Sequence, residues 1–84
     1  MKKDTYMGEW KEGKPHGYGV HIWVNGDKYE GEFKNSLKHG QGTEYFSNGD
    51  VYKGEYVNGK PEGYGEYYWV NTSTFKGNKL EIYF

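Results

Sequence analysis

The sequence predicts an all-β protein, a single-layer elongated antiparallel meander of repeated β-hairpins with about seven strands. Two observations carry this prediction. A sequence unit recurs every 23 residues without a slip, as in the column formed by Tyr6, Tyr29, Tyr52 and Phe75. Within each unit, apolar and polar residues alternate at a period of two, which is typical of strands and not of helices. Because hairpins joined in series place each strand beside the next, the repeats predict one continuous sheet.

The repeat divides the chain into five segments. Three full units cover residues 6–28, 29–51 and 52–74, preceded by a lead-in at 1–5 and followed by a partial unit or C-terminal cap at 75–84. The chain is either a minimal repeat protein or a piece of a longer one. No segment has helical apolar spacing, so any helix is confined to the extreme C-terminus.

Composition narrows the class of protein. The 84 residues are only 33% hydrophobic, yet 20% are aromatic, 14 are Gly and none is Cys. The aromatic content argues against disorder, and the lack of Cys excludes a disulfide scaffold and thiol-based metal sites. The N-terminus has no apolar stretch after its lysines, which predicts no secretory signal and a cytoplasmic location. A net charge of −1 with no Arg gives no basic surface for nucleic acid.

The first half of each unit reads as a strand of the form Tyr-x-Gly-x-aromatic. In Tyr29-Glu30-Gly31-Glu32-Phe33, the aromatic and glycine residues share one face and the glutamates share the other. The other face of these strands is expected to be wet. A polar loop follows, and Pro15 and Pro61 are predicted to lie in it, where a missing N–H is harmless.

The second half of each unit reads as a Gly-x-Gly strand that ends at an Asn-Gly turn. Unit one runs Gly17-Tyr18-Gly19-Val20-His21-Ile22-Trp23, and the turns are Asn25-Gly26 and Asn48-Gly49. Asn-Gly is the strongest short-range hairpin signal, and it predicts positive φ at both turn residues. Period-two parity places the glycines on the aromatic side of the sheet, so the rings are expected to lie flat over bare backbone.

These motifs resemble the MORN (membrane occupation and recognition nexus) repeat. The resemblance rests on segments such as Tyr29-Glu30-Gly31-Glu32-Phe33-Lys34-Asn35 and His39-Gly40-Gln41-Gly42, and it covers residues 6 to about 78. The departures are Ser36, Glu62, Thr72 and Lys79, which replace Gly, His, Asn-Gly and an aromatic residue. The resemblance implies a non-enzymatic scaffold or adaptor at the cell cortex, cytoskeleton or membrane. The family also occurs fused to enzymes, which implies an alternative: a membrane-targeting or regulatory module of a larger enzyme such as a phosphatidylinositol phosphate kinase.

The aromatic stripe is the leading candidate site. A single sheet cannot cover its own apolar face, and exposed apolar patches mark interaction sites. We expect a groove for a peptide or an amphipathic helix of a protein partner. The alternative is that the rings recur because the fold needs them. The predicted groove residues are Tyr6, Trp10, Trp23, Tyr29, Phe33, Phe46, Tyr52, Tyr56 and Trp69.

A lysine-rich loop edge is the second candidate, an edge for phosphoinositides or other anionic lipids. A solvated edge is the alternative, since Glu12 and Glu62 dilute its charge. The predicted lipid-edge residues are Lys11, Lys14, Lys34, Lys38 and Lys60.

Catalytic, metal and cofactor sites are not predicted. His16 and His39 share a repeat position, but such positions lie about 9–10 Å apart, two strands away from each other. A zinc ion needs its nitrogen ligands at about 2.0–2.1 Å, so a structural role is expected. The serines lack an obvious histidine partner, and the Gly-x-Gly pairs do not open a helix. The final half-unit, from Phe75, leaves an unpaired C-terminal edge strand that is apolar at Leu80, Ile82 and Phe84, which favours a homodimer through that strand.

Overall fold

Seven antiparallel strands form one open sheet in the computed structural model, which describes residues 3–70 and 79–84. The strands pair in chain order, and no helix occurs in the described residues. The sheet measures 46 × 35 × 14 Å, which is the thickness of a single layer. The predicted all-β meander is therefore confirmed. The strands are β1 Thr5–Lys11, β2 Lys14–Ile22, β3 Lys28–Lys34, β4 Leu37–Tyr45, β5 Val51–Val57, β6 Lys60–Tyr68 and β7 Lys79–Tyr83.

A row of glycines crosses six strands and sets the register of the sheet. Each glycine of the row lies opposite the next, so the predicted parity of the two half-units is confirmed. The pairs are Gly8 with Gly19, Gly19 with Gly31, Gly31 with Gly42, Gly42 with Gly54 and Gly54 with Gly65. A register shift follows the glycine in β1, β3 and β5, which locally bends and twists each odd strand.

Tyrosine rings fill the slots that the glycines leave. A Cβ atom at Gly19 would lie 2.6 Å from Cε1 and Cζ of Tyr6. Tyr29 covers Gly42 in the same way, and Tyr52 covers Gly65. The absence of side chains thus lets each ring lie directly on the backbone, which is how a one-layer sheet buries apolar surface. The resulting core consists of Tyr29, Phe33, Tyr52 and Tyr56.

The two-residue hairpin turns lie where the sequence predicted polar loops. Both central residues have positive φ in Glu12-Gly13, Asn35-Ser36 and Asn58-Gly59, the conformation that matches the twist of the flanking strands. Because these turns are so short, Pro15 and Pro61 fall inside β2 and β6. The prediction that the two prolines lie in loops is wrong.

The Asn-Gly turns differ from the predicted geometry in one respect. Gly26 and Gly49 have positive φ, whereas Asn25 and Asn48 do not. Instead, the side-chain oxygen of each asparagine accepts a hydrogen bond from the backbone N–H two residues later, on Asp27 or Asp50. This Asx geometry stabilises a wider turn without left-handed asparagine.

A column of aspartates closes the open ends of the hairpins β1–β2, β3–β4 and β5–β6, a role that the repeat pattern did not predict. Each carboxylate precedes an odd strand and accepts a backbone N–H from the chain just after the next even strand. The pairs are Asp4 with Val24 at 2.9 Å, Asp27 with Ser47 at 2.8 Å and Asp50 with Val70 at 2.9 Å. The bonds fix the turn edge of the sheet at each repeat.

The last strand departs from the 23-residue period. Ile82 lies opposite Gly65, the place that the period would give to Gly77, and the Phe84 N–H donates to the Gly63 carbonyl at 2.8 Å. Residues 80–84 therefore follow the register of a Tyr-x-Gly-x-aromatic strand, with Phe84 at its aromatic position. Phe75 and Gly77, on which the fourth unit was predicted, lie outside the described residues.

Candidate functional site

One face of the sheet carries a continuous ladder of aromatic rings, and we call it the aromatic face. It holds Tyr6, Tyr29, Phe33, Tyr52 and Tyr56, with the glycine row between them. Successive rings meet edge to face, an arrangement that contributes about 0.5–1.5 kcal/mol per pair beyond area burial. The centroid separations are 4.9 Å for Tyr6–Trp10, 5.2 Å for Tyr6–Phe33, 5.0 Å for Tyr29–Phe33, 5.3 Å for Tyr29–Tyr56, 5.8 Å for Tyr52–Tyr56 and 6.5 Å for Tyr52–Phe84.

Four of the nine predicted groove residues are core residues. The exposed fractions are 0% for Tyr29, 5% for Phe33, 5% for Tyr52 and 2% for Tyr56. Each ring is covered by its neighbours in the ladder. These four side chains therefore cannot contact a partner directly, which corrects their assignment as groove residues; they support the surface residues instead.

The other five groove residues remain accessible. Trp10 is 58% exposed and Trp69 is 41% exposed, while Tyr6, Trp23 and Phe46 are half-buried. Trp23, Phe46 and Trp69 hold one repeat position, just beyond the even strands, and form a row along the edge that the aspartates fix.

Phe84 is an accessible aromatic residue that the site prediction did not include. It is 59% exposed and ends the ladder against Tyr52. Leu80, Ile82 and Phe84 alternate at a period of two, and that alternation was the available signal. The accessible aromatic surface therefore reaches from the β1 edge to the β7 edge.

Burial controls the ionisation of the ladder hydroxyls. The Tyr29 hydroxyl donates to the Glu32 carbonyl at 2.9 Å, and the Tyr56 hydroxyl donates to Glu44 Oε1 at 2.8 Å. Burial is the main cause that raises the pKa of both tyrosines, and the nearby carboxylates raise the pKa further. The neutral phenol is therefore the form that the fold accommodates.

Stability is expected to fall above pH 10. The unfolded chain has tyrosine pKa values near 10, and folding raises those of Tyr29 and Tyr56. The stability that these groups contribute is fully present below about pH 10 and is lost as the pH rises toward the folded pKa values. Urea unfolding between pH 7 and 12 measures the effect. Tyr56→Phe should flatten the alkaline decline, whereas Tyr83→Phe, at a residue that is 73% exposed, should leave it unchanged; equal slopes in all three proteins would contradict the assignment.

Four of the five predicted lipid-edge lysines lie exposed at or near the two-residue turns. These four are Lys11, Lys14, Lys34 and Lys60. Leu37 and Val57 lie on the same edge and are 45% and 42% exposed. The edge therefore combines positive charge with apolar side chains.

Lys38 is the exception among the predicted lipid-edge residues. Its ammonium lies 2.9 Å from Glu44 Oε1 and over the rings of Trp23, Tyr29 and Tyr56. The register pairs Lys38 with Phe33, so its side chain reaches the aromatic face and not the loop edge. This corrects the assignment of Lys38 to the lipid edge. Its ammonium group is already paired with Glu44 and cannot bind a lipid headgroup.

The histidines do not assemble a metal centre in the described residues. His16 and His39 are half-buried, and the Nδ1 atom of each is buried without a hydrogen-bond partner. No group of three or more His, Asp or Glu side chains in residues 3–70 and 79–84 is placed to hold a metal ion. His21 stacks on Trp23 at a centroid separation of 4.3 Å.

The opposite face of the sheet is less uniformly polar than the sequence predicted. An open hollow of about 450 Å³ is lined by Tyr45, Val51, Lys53 and Tyr68. Beside it, Glu66 accepts hydrogen bonds from the hydroxyls of Tyr64 and Tyr68, each at 2.7 Å, and these bonds lower the pKa of Glu66. The two tyrosines of the hollow come from the even strands β4 and β6, and the odd strand β5 contributes Val51 and Lys53.

Comparison with protein-family models matches the MORN repeat three times in succession, at residues 6–28, 29–51 and 52–74. A search of curated proteins gave no match. Within the described residues, no helix has the length and apolar character to cross a membrane.

Proposed function

The chain belongs to the MORN repeat family, and from this premise we propose that it is a non-catalytic scaffold or adaptor that binds a protein partner through its aromatic face. One observation supports this most strongly. Trp10, Trp69 and Phe84 are 58%, 41% and 59% exposed around the four buried rings of the core, and no described residue forms a second layer over them. Large exposed aromatic side chains on a rigid support are the usual anchors of protein interfaces.

The dimensions of the aromatic face favour an amphipathic helix as the bound element. Equivalent residues of adjacent repeats, such as Trp23 and Phe46, lie two strands apart, which is about 9–10 Å. Seven residues of α-helix rise by about 10.5 Å. A helix lying across the strands with one apolar residue in every seven would therefore meet one aromatic position per repeat. The six strand spacings from β1 to β7 span about 29 Å, so the contact length corresponds to about 20 helical residues.

Charge on the loop edge adds a second requirement for the partner. Lys11, Lys14, Lys34 and Lys60 are exposed along the edge nearest Trp10. A partner helix with acidic residues beside its apolar stripe would complement these lysines, which affects the association rate and orientation more than affinity. A cytoplasmic location at the cell cortex or cytoskeleton is part of this proposal.

The double variant Trp23→Ala/Trp69→Ala removes two aromatic rings that hold the same repeat position. It is expected to weaken helix binding by about 10- to 100-fold, since each anchor contributes more than about 1 kcal/mol. The probes are 21-residue amphipathic helices selected from a displayed library with randomised heptad positions, and fluorescence anisotropy measures their affinity. Phe33 and Tyr56 are unsuitable targets because their loss would unfold the core.

The matched control is Tyr18→Ala/Tyr83→Ala, which removes two exposed tyrosines, 56% and 73% accessible, from the opposite face. This variant should bind the selected helices as tightly as the parent chain does. Weakening by the control and not by the tryptophan variant would move the site to the opposite face. A library that yields no binder to the folded chain would overturn the helix groove.

The lysine edge favours a second candidate function, a membrane-targeting or regulatory module of a larger enzyme such as a phosphatidylinositol phosphate kinase. The supporting observation is that Leu37 and Val57 are 45% and 42% exposed among the lysines of that edge. Basic residues attract anionic headgroups, each contributing about 1 kcal/mol near the surface, and the apolar side chains can enter the interface.

Sedimentation with phosphoinositide-containing liposomes tests the membrane candidate. We expect binding that falls as salt rises and that weakens about 5- to 30-fold in Lys14→Glu, because a charge reversal changes the attraction by about two lysine equivalents. Lys53→Glu makes the same charge change on the opposite face and should have little effect. Equal loss in both variants would indicate a general charge effect, and no binding at low salt would exclude the candidate.

A further inference from the structure

A slot above β4 on the aromatic face holds an ion pair that neither proposed function uses. The ring of Tyr29 lies over Gly42 of β4, and Gly40 of the same strand pairs with Tyr56 of β5. Lys38 lies at the start of this strand, at the repeat position that holds Pro15 in unit one and Pro61 in unit three. Among the three repeats, only unit two therefore has a positively charged residue at this position of the aromatic face.

The Lys38 ammonium is enclosed by rings. It lies 5.0 Å from the ring centroid of Trp23 and 5.5 Å from those of Tyr29 and Tyr56. Its side chain is only 19% exposed, and that of its partner Glu44 is 17% exposed. Cation–π attraction of this kind strengthens when the cation is removed from water.

The Glu44 carboxylate is fixed in place by the same ladder. The Tyr56 hydroxyl donates to Glu44 Oε1 at 2.8 Å, and the Lys38 ammonium donates to that same oxygen at 2.9 Å. The equivalent position holds His21 in unit one and Tyr67 in unit three, so neither unit offers a carboxylate there. The carboxylate acceptor and Tyr29 thus belong to unit two, while the neighbouring units supply Trp23 and Tyr56.

The geometry points to an alkylammonium-binding site, formed by Trp23, Tyr29, Tyr56 and Glu44, that Lys38 occupies as its resident ligand. Rings around a cation are the arrangement by which proteins recognise ammonium groups. Lys38→Ala removes three methylene carbons and the nitrogen, the same heavy atoms as those of n-propylammonium. The truncated protein should therefore bind n-propylammonium in the vacated slot. The intact protein should not bind free amine, because the Lys38 side chain is tethered beside the site and therefore has a high effective concentration there.

Thermal unfolding of Lys38→Ala in n-propylammonium chloride tests this site. The expected result is a rise in Tm of about 4–8 °C when the amine exceeds its Kd about fivefold, growing with the logarithm of the amine concentration beyond that point. Neutral n-propanol should give no comparable rise, because it carries no positive charge to pair with Glu44 and to interact with the ring faces. If Lys38→Ala is unfolded in buffer, the same titration is followed as recovery of the β-sheet circular dichroism spectrum. Neither a rise nor a recovery would overturn the proposal.

Three variants separate the site from a general effect of the salt. Lys60→Ala removes an exposed lysine and should show no response to the amine. Lys38→Met keeps an unbranched apolar side chain in the slot and should not respond either. Glu44→Gln combined with Lys38→Ala should lose most of the response. An equal response in Lys60→Ala, or an undiminished response after Glu44→Gln, would overturn the assignment.

Discussion

Tyr29→Ala is expected to destabilise the protein by about 3–5 kcal/mol, the range found for removing a large buried ring. Tyr29 is fully buried, contacts Phe33 and Tyr56 edge to face, and covers Gly42. Its removal exposes bare backbone in the middle of the sheet and interrupts the ladder. Native proteins have free energies of unfolding of about 5–15 kcal/mol. The loss of Tyr29 would therefore remove a large part of the total. Urea unfolding followed by circular dichroism measures the loss.

Tyr18→Ala is the matched control for Tyr29→Ala. Tyr18 is also a strand tyrosine, but it is 56% exposed on the opposite face, and its removal should cost less than about 1 kcal/mol. If the two variants lost stability equally, the aromatic face would not be the core. If Tyr29→Ala cost less than about 1 kcal/mol, the ring-over-glycine account of the fold would be wrong.

The sequence predicted the repeat, the strand order and the side of the sheet on which each aromatic residue lies. These features follow from period-two alternation and from the 23-residue spacing, which depend only on the local chain. The placement of rings over glycines was also predictable, because Tyr6 and Gly19 share a face once the hairpin is drawn. Local pattern thus determines the register here.

The exposure of individual rings was not predictable from that pattern. Trp10 and Phe33 hold the same repeat position, yet Trp10 is 58% exposed and Phe33 is 5% exposed. Phe33 packs against Tyr6 of the preceding unit, whereas Trp10 lies in β1, the edge strand of the described sheet, which pairs with β2 on one side. Burial in a repeat sheet is a property of neighbouring units, so only the assembled order of strands reveals it.

Lys38 was misplaced for a related reason. A lysine next to a polar turn reads as a solvated residue, and its sequence neighbours give no sign of a buried partner. Its carboxylate partner Glu44 lies six residues away on the same strand, and two of its rings come from β3 and β5. The start of β4 could be located only once Asn35-Ser36 was known to form a two-residue turn.

Gly42→Ala is expected to destabilise the protein by about 1–3 kcal/mol or more, although alanine stabilises most glycine positions that can accept it. The backbone of Gly42 is not left-handed, and a compatible replacement would contribute about 0.4–1 kcal/mol. Here, however, the added Cβ would overlap Oη, Cε1 and Cζ of Tyr29. Gly42 lies in β4, which pairs with strands on both sides, so the backbone cannot yield and the ring must leave its slot. The expected destabilisation is therefore that of an overpacked core. It cannot exceed the cost of losing the buried Tyr29 ring altogether.

A double-mutant cycle in unit one shows whether the ring causes the penalty. Tyr6 is half-buried and covers Gly19 as Tyr29 covers Gly42, so its variants should stay folded. Gly19→Ala should destabilise the parent chain but be neutral or stabilising in the Tyr6→Ala background, a coupling of about 1–3 kcal/mol. For Gly42→Ala, the control is the exposed neighbouring residue Gln41. Gln41→Ala adds no atom on the aromatic face and should change the free energy of unfolding by less than about 0.5 kcal/mol. Additive effects of the two unit-one substitutions would show that glycine is needed there for its backbone and not for the ring above it.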